Sequence, residues 1–422
     1  MELKPNMIEN SKWAFQFSRK AIFTFLAITL FYFFEASQMS YFNVLAPYYL
    51  AQGYHENQVA GLSSAYYYGN VIGLLPVGYA LDHFPLRKIL LWAIIGSVIS
   101  ALLLAMGHSY STDLIARFLC GFFGGTFSFI GGIRVILSLF PNRFSFFMGF
   151  FISSGMFAGL VCQYPLLRVV NHIGIQGTMI VMVVFGLIVT IFNLLYLHPP
   201  TTHIQENKEN KYPGTVRQMC FEIVTNLRNW LDCIMIVLLD TPISIMGTLW
   251  GIVLMTGFYG FSDGTSAVMV MCLFAGLMLG SMFWGIFSDR YNNSGGIIIL
   301  GAAASLAILI LMLVSQHHAN PIIIAVLSFG LGLFSSCQSL GFTWLTKNMR
   351  PELIGRNSAF NSMILMGSGG GFKQFGAVLL ASSPFFRGMP SVVNLIVCMA
   401  IAMTLVLIYV AVRKKVFKNL VF

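Results

Sequence analysis

Residues 69–88 read G-N-V-I-G-L-L-P-V-G-Y-A-L-D-H-F-P-L-R-K. An apolar run punctuated by Gly69, Gly73 and Gly78 ends in an acid, Asp82, and then in two bases, Arg87 and Lys88. The punctuation returns later in the chain. Gly276, Gly280, Gly285 and Asp289 repeat Gly69, Gly73, Gly78 and Asp82, each 207 residues further on, and Arg290 follows at once. Signals repeated at a separation near half the chain length point to internal duplication, and their apolar setting places the duplicated unit in a membrane.

The composition agrees. Of 422 residues, 57% are hydrophobic and 9% charged, against roughly 25% charged in a soluble domain. Long apolar runs recur from one end to the other, each long enough to cross a bilayer as a helix. They are too long and too uniform for the alternating strands of a β-barrel. The fold class predicted is an all-α polytopic membrane protein. The expected spans are 21–46, 57–81, 89–107, 112–139, 144–167, 176–198, 229–256, 264–287, 295–314, 320–346, 355–380 and 390–412. They form two pseudo-symmetric six-helix bundles. The domain reading is an N-terminus at 1–20, a first bundle at 21–198, a connector at 199–227, a second bundle at 228–412 and a tail at 413–422. Within the connector, 216–227 reads either as an interfacial helix or as a solvated linker.

The net charge of +10 lies in short loops. It is a topology signal and does not call for a nucleic-acid partner. Of 24 Lys and Arg, 19 lie in the N-terminus, the loops after even-numbered spans and the C-terminus. Arg168 and Arg387 lie on the opposite side, and the remaining three are inside spans. Both termini are therefore expected in the cytoplasm, which fits twelve spans. The first apolar run is too long for the core of a cleavable signal and is expected to stay as span 1. The seven cysteines are scattered without metal-ligand spacing, and the eight histidines form no HExxH cluster. No metal, cofactor or catalytic residue is expected. There is no G-x-x-x-x-G-K-[ST] loop, so ATP is not the expected energy source.

At this point the chain resembles the major facilitator superfamily. Residues 78–88 are similar to the family signature between spans 2 and 3, G-x-L-x-D-R-x-G-R-R, with Asp82 at the acid and Arg87 and Lys88 at the basic end. His83 and Pro85 depart from it. The second copy keeps Gly285, Asp289 and Arg290. Arg117-F-L-C-Gly121 on span 4, Phe140-Pro141-Asn142-Arg143 with Gly149, and Arg350-Pro351-Glu352 with Gly355 also resemble family segments. The resemblance covers about residues 20–412 and implies the major facilitator fold and secondary transport. Ser64-A-Y-Y-Y-Gly69, Tyr164-Pro165-Leu166 and the N-W-L, T-P-I-S and L-Trp250-Gly251 pieces of span 7 resemble one branch. That branch holds phagosomal amino-acid transporters of intracellular bacteria and lysosomal dipeptide transporters. The Gly-Pro signature of drug antiporters is absent from span 5, which speaks against efflux.

The resemblance implies a gating role for Gly78, Asp82, Arg87, Lys88, Gly285, Asp289 and Arg290 at the meeting of the two halves. From chemistry alone Asp82 reads equally as a surface cap. The glycines of spans 2 and 8 suit either helices that slide past each other or ordinary tight packing. Five ionisable residues stand at least five residues inside the ends of their spans: Glu35, Arg117, Arg134, Asp240 and Lys373. Each is costly to insert and is by default a candidate for function. At 1.5 Å per residue, Glu35 lies roughly 20 Å and Asp240 roughly 16 Å from the cytoplasmic ends of their spans, and Lys373 roughly 27 Å. Arg117 and Arg134 stand about 25 Å apart on one helix and cannot share one small ligand.

Glu35 and Gln38 share a helical face. Glu35 can hold a substrate amine, carry a coupling proton or sit in a fixed ion pair. Asp240 carries the same alternatives beside the Thr241-Pro242 break. Arg134 and Lys373 can each hold a carboxylate, or in the case of Arg134 snorkel to the cytoplasm. Lys373 follows the glycine run 369–371, which invites a bend. Tyr66, Tyr67 and Tyr68 cover most of a turn, so one of them, taken as Tyr67, should face the cavity. Arg117 matches a family motif in which the residue is structural or proton-coupling. The substrate-binding candidates are thus Glu35, Gln38, Tyr67, Arg134, Asp240 and Lys373, with Glu35 and Arg117 as proton-coupling candidates.

A cavity with both acids and bases suits a zwitterion. With the branch resemblance, the expected function is transport of an amino acid or small peptide by alternating access, with protons as the candidate coupling ion. The alternatives are a siderophore or other organic-anion carrier, or a non-transporting receptor on the same fold. The expected partners are a small-molecule substrate and the lipid bilayer. The chain is expected to be a monomer in a bacterial inner (plasma) membrane. The sequon at Asn292 falls on the predicted cytoplasmic side.

Overall fold

The computed structural model describes residues 18–107, 109–199, 216–291, 294–318, 320–346 and 351–416. Twelve membrane-crossing segments follow one another. Span 1 is Arg19–Ala51, with a turn at Tyr41. Span 2 is Glu56–His83, span 3 Leu86–Met106, span 4 Tyr110–Leu139 and span 5 Phe144–Val161. Span 6 lies within Tyr164–Tyr196. Span 7 is built of three pieces, Leu227–Leu239, Pro242–Trp250 and Gly251–Tyr259. Spans 8 and 9 are Asp263–Tyr291 and Ser294–Val314. Span 10 runs from Pro321–Ser335 through a short tight turn to Ser339–Thr346, and spans 11 and 12 are Pro351–Ala381 and Val393–Val416.

One boundary differs from expectation. Span 5 was expected to reach residue 167 but ends at Val161. Tyr164 opens a helical arm that turns into span 6 at Gly174, where φ is +73°. An L side chain rarely adopts that backbone, so the glycine sets the corner that an apolar pattern cannot show. In the connector, Val216–Thr225 is helical, with Phe221 and Val224 exposed. The Trp230 indole N–H donates to the Val224 carbonyl at 2.7 Å and ties this helix to span 7.

Span 1 packs on spans 4, 5 and 6, and span 3 on spans 4 and 6. In the second half span 8 packs on span 10, and span 9 on spans 10 and 12. The halves meet where span 2 lies along span 11, span 5 along span 8, and the last turns of span 1 against span 7. Among the described residues, nine helical stretches are long and apolar enough to cross a membrane by length and composition, and spans 2, 5 and 11 are not in that set. All three lie at the meeting of the halves, where protein replaces lipid and polar residues are tolerated. Spans 3, 6, 9 and 12 instead carry exposed apolar side chains: Trp92, Ile188, Leu311 and Ile408 are 72%, 59%, 54% and 54% exposed. An apolar girdle of this extent is stable only against lipid.

The glycines that open the repeat have a structural answer. A Cβ on Gly69 would collide with the Phe118 carbonyl of span 4, and one on Gly276 with the Phe329 carbonyl of span 10. The opposing glycines reciprocate, Gly121 against the Tyr66 carbonyl and Gly332 against the Leu273 carbonyl. Each half thus closes backbone on backbone at equivalent places. These four glycines serve tight packing inside a bundle, and not sliding between bundles.

Candidate functional site

Span 7 breaks because of Thr241-Pro242. Proline has no N–H to give the Leu238 carbonyl, and the Thr241 hydroxyl donates to that oxygen instead, at 2.8 Å. Asp240 ends the first helix, and its carbonyl accepts from the N–H groups of Ile243 and Ser244 at 3.0 and 2.9 Å. The Ser244 hydroxyl donates to the Asp240 carboxylate at 2.5 Å. Pro242–Trp250 is wound as a π-helix, a form that is rare and tends to occur at functional places. Lys373 of span 11 and Gln338 of span 10 face the same carboxylate.

Lys373 has no exposed surface. Its ammonium lies 3.7 Å from the centre of the Tyr67 ring, a favourable cation–π placement. It donates to the Gly369 carbonyl at 3.3 Å. The Trp250 indole donates to the Lys373 carbonyl at 3.1 Å, and Ser64 of span 2 to the Gly370 carbonyl at 2.8 Å. Gly369 and Gly370 let this stretch of span 11 approach Tyr67 and Tyr68. Thr248 of span 7 faces the Tyr67 hydroxyl. Tyr67 from the first half therefore meets Asp240 and Lys373 from the second. The acid and the amine face one another, and no contact ion pair between them is found among the described residues. The arrangement can bind an amine at one end and a carboxylate at the other.

A second polar cluster lies inside the first half. Glu35 is 1% exposed. One carboxylate oxygen accepts from the Ser97 hydroxyl of span 3, and the other has no hydrogen-bond partner. Gly124, in a π-wound turn of span 4 at Gly121–Gly125, makes room for this carboxylate. Arg117 is fully buried. It donates to the carbonyls of Gln38 at 2.8 Å and Leu62 at 3.3 Å, and sits over the Phe42 and Tyr66 rings at 4.4 and 5.0 Å. Glu35 and Arg117 interact electrostatically. The Gln38 side-chain nitrogen has no partner and borders a small void with Leu45 and Met179. Glu35, Gln38 and Arg117 are thus together and buried inside the first half, with Arg117 near enough to Tyr67 and Lys373 to interact with them electrostatically.

Arg134 stands elsewhere; it donates to the Leu81 carbonyl at the end of span 2, at 2.9 Å. Among the gating candidates, Arg87 donates to the Leu194 carbonyl of span 6 at 2.9 Å, Lys88 is exposed, and Arg290 lies over the Tyr291 ring at 6.0 Å. Gly285 has open space around it. Gly78 lies within span 2, and the side chains of Asp82 and Asp289 lie outside the described residues. Ser97, Thr248 and Gln338 were not singled out from sequence, and Ser244 entered only as the end of T-P-I-S. Their only signal was a polar residue in an apolar run, which serines and threonines of spans often give by bonding their own helix. Asp232 was also missed. It accepts from Arg413, from Tyr409 at 2.8 Å and from the Trp344 indole at 3.3 Å, joining spans 7, 12 and 10 in a buried structural pair.

Among curated proteins, none matches this chain. Among solved structures it is similar to a point mutant of the nucleoside transporter NupG, with a TM-score of 0.74 at 12% identity over 92% of this chain and 99% of that one. It is similar to a D-xylose-proton symporter, with a TM-score of 0.72 at 14% identity over 91% and 97%. Likeness at such identity speaks for the fold. The family model for the Major Facilitator Superfamily matches residues 28–372. With twelve crossing segments, a duplicated glycine-packed core and an apolar girdle, the chain belongs to the Major Facilitator Superfamily and is an integral membrane transporter, not an enzyme.

Proposed function

We propose that this transporter carries a zwitterionic small solute, an amino acid or small peptide, by alternating access of bundles 21–198 and 228–412. The observation that carries the reading is the meeting of Tyr67, Asp240 and Lys373, an acid and an amine held facing each other without contact. A solute amine would lie at Asp240 and its carboxylate at Lys373, with Tyr67 against its side chain. Two buried charges left apart cost more than a solute that bridges them. The branch resemblance of spans 2, 5 and 7 points the same way. Arg117 and Arg134 stay in separate surroundings, which disfavours an organic-anion carrier built on paired arginines.

Protons are the proposed driving ion. Glu35 is the proposed proton site, since it has a carboxylate oxygen without a partner and Arg117 as an electrostatic neighbour. The gating role of Asp82 and Asp289 is part of the same proposal, as are cytoplasmic termini, a bacterial inner membrane and a monomeric state. The test is uptake of pooled amino acids and dipeptides by proteoliposomes, with and without an inward proton gradient. Gradient-driven accumulation is expected, with Glu35→Gln reducing it to equilibration. Accumulation that persists in Glu35→Gln would remove Glu35 from the coupling step, and the absence of flux for every member would set the substrate class aside.

A further inference from the structure

On the side of the molecule opposite the termini, one buried residue bonds across the halves. Asn43, on the last turns of span 1, has no exposed surface. Its amide nitrogen is 3.0 Å from Gln163 Oε1 and 3.3 and 3.2 Å from the carbonyls of Met246 and Gly247 in the π-wound piece of span 7. Its oxygen accepts from the Ile252 N–H at 3.2 Å. Gln163 is itself fixed by donating to the Gly159 carbonyl at 3.0 Å. A side chain of the first half therefore bonds both a backbone donor and backbone acceptors of span 7.

Span 7 carries two further marks of this winding. Pro242 starts it without an N–H. At its other end a Cβ on Gly251 would collide with the Met246 carbonyl five residues back. Glycine there accommodates the wide turn. An α-wound span 7 would instead pair the Ile252 N–H with the Thr248 carbonyl.

We infer that Asn43 latches this side shut by standing in for the backbone hydrogen bonds of span 7, and that opening it requires Pro242–Trp250 to rewind from π to α. If span 1 withdrew from an unchanged span 7, the Ile252 N–H would lose its acceptor in Asn43 and the Met246 and Gly247 carbonyls would each lose a bond. That is costly wherever water is scarce. Rewinding removes the loss by closing the ladder internally. It also turns Ser244 and Thr248, which face Asp240 and Tyr67, against the rest of span 7, and so ties the gate to the central group. The inference rests on the alternating-access reading but on no particular substrate.

The test measures the two halves directly and needs no solute. Spin labels are placed at Asn57 and Arg387, both exposed and both on the latched side. The seven native cysteines are replaced, and the protein is held in lipid nanodiscs. The parent is expected to show mainly the short distance. Asn43→Ala is expected to raise the ratio of long to short distances on the order of tenfold, equivalent to the net loss of one hydrogen bond. Pro242→Ala leaves span 1 untouched and restores the missing N–H. It is expected to shift the ratio in the same direction by favouring the α winding. An unchanged distribution in Asn43→Ala overturns the latch. Should Asn43→Ala fail to fold, Pro242→Ala decides alone, and an unchanged distribution there overturns the rewinding and with it the inference. Because transport is not read, failure here leaves the substrate proposal standing, and failure of the uptake test leaves this one standing.

Discussion

Two kinds of buried charge stand in this molecule, and their partners tell them apart. Asp232 is fully occupied by Arg413, Tyr409 and Trp344, and such a closed set serves the fold. Removing one member leaves the other charge buried and alone, at a cost of about 3–5 kcal/mol. Arg413→Ala is therefore expected to lower the thermal unfolding temperature in detergent sharply. An unchanged melting curve would show that the pair contributes nothing. Lys373 rests on a ring and a carbonyl and looks toward an acid that it does not touch. Tyr67, Asp240 and Lys373 were all legible in the sequence, because an ionisable residue in a span and an aromatic run beside it are conspicuous. The sealing of Glu35 was not legible. Whether a helical face looks into a cavity or into its own bundle depends on neighbours such as Ser97 and Gly124, which sit far along the chain.

The helices owe their closeness to glycine. Gly69 and Gly276 do the same work in the two halves, each against a backbone carbonyl of the span two further on. Gly276→Ala must push that backbone away and is expected to cost about 1–3 kcal/mol, read as a lower unfolding temperature. Gly285→Ala, with open space around it, is expected to leave stability unchanged. Equal behaviour of the two variants would contradict the packing described. That both positions matter was visible from their repetition, whereas the choice between packing and sliding needed the opposing carbonyls. The π winding of span 7 had one visible sign, Thr241-Pro242, which announces a break but not how the following turns are wound. Asn43 gave only a lone amide in an apolar run. Its partners are backbone groups of another span, and backbone groups leave no mark in sequence.

Taken entire, the chain is two copies of one bundle that have diverged in their polar contents. The first holds a sealed acid–arginine cluster, and the second supplies most of the central group. Apolar runs, the repeat and the parity of the basic loops together sufficed for the twelve crossings, although spans 2, 5 and 11 are shorter or less apolar than the rest. The corner at Gly174 did not appear because the arm opens with Leu166 and Leu167, which read as a continuation of span 5. The bias of Lys and Arg supports the proposed placement of the termini inside the cell. A cysteine at the exposed Gln52 is expected to react with an impermeant maleimide added to intact cells, and one at the exposed Arg19 only after the cells are opened. The reverse pattern would invert the orientation.

The most direct measurement is counterflow of one transported amino acid against three competitors in proteoliposomes: the amino acid, its amide and its N-acetyl derivative. The parent should accept only the first. Lys373→Gln should weaken competition by the free amino acid on the order of 100-fold and no longer distinguish it from the amide. Asp240→Asn should do the same for the N-acetyl derivative. If both variants keep the discrimination of the parent, Asp240 and Lys373 do not hold the two ends of the solute.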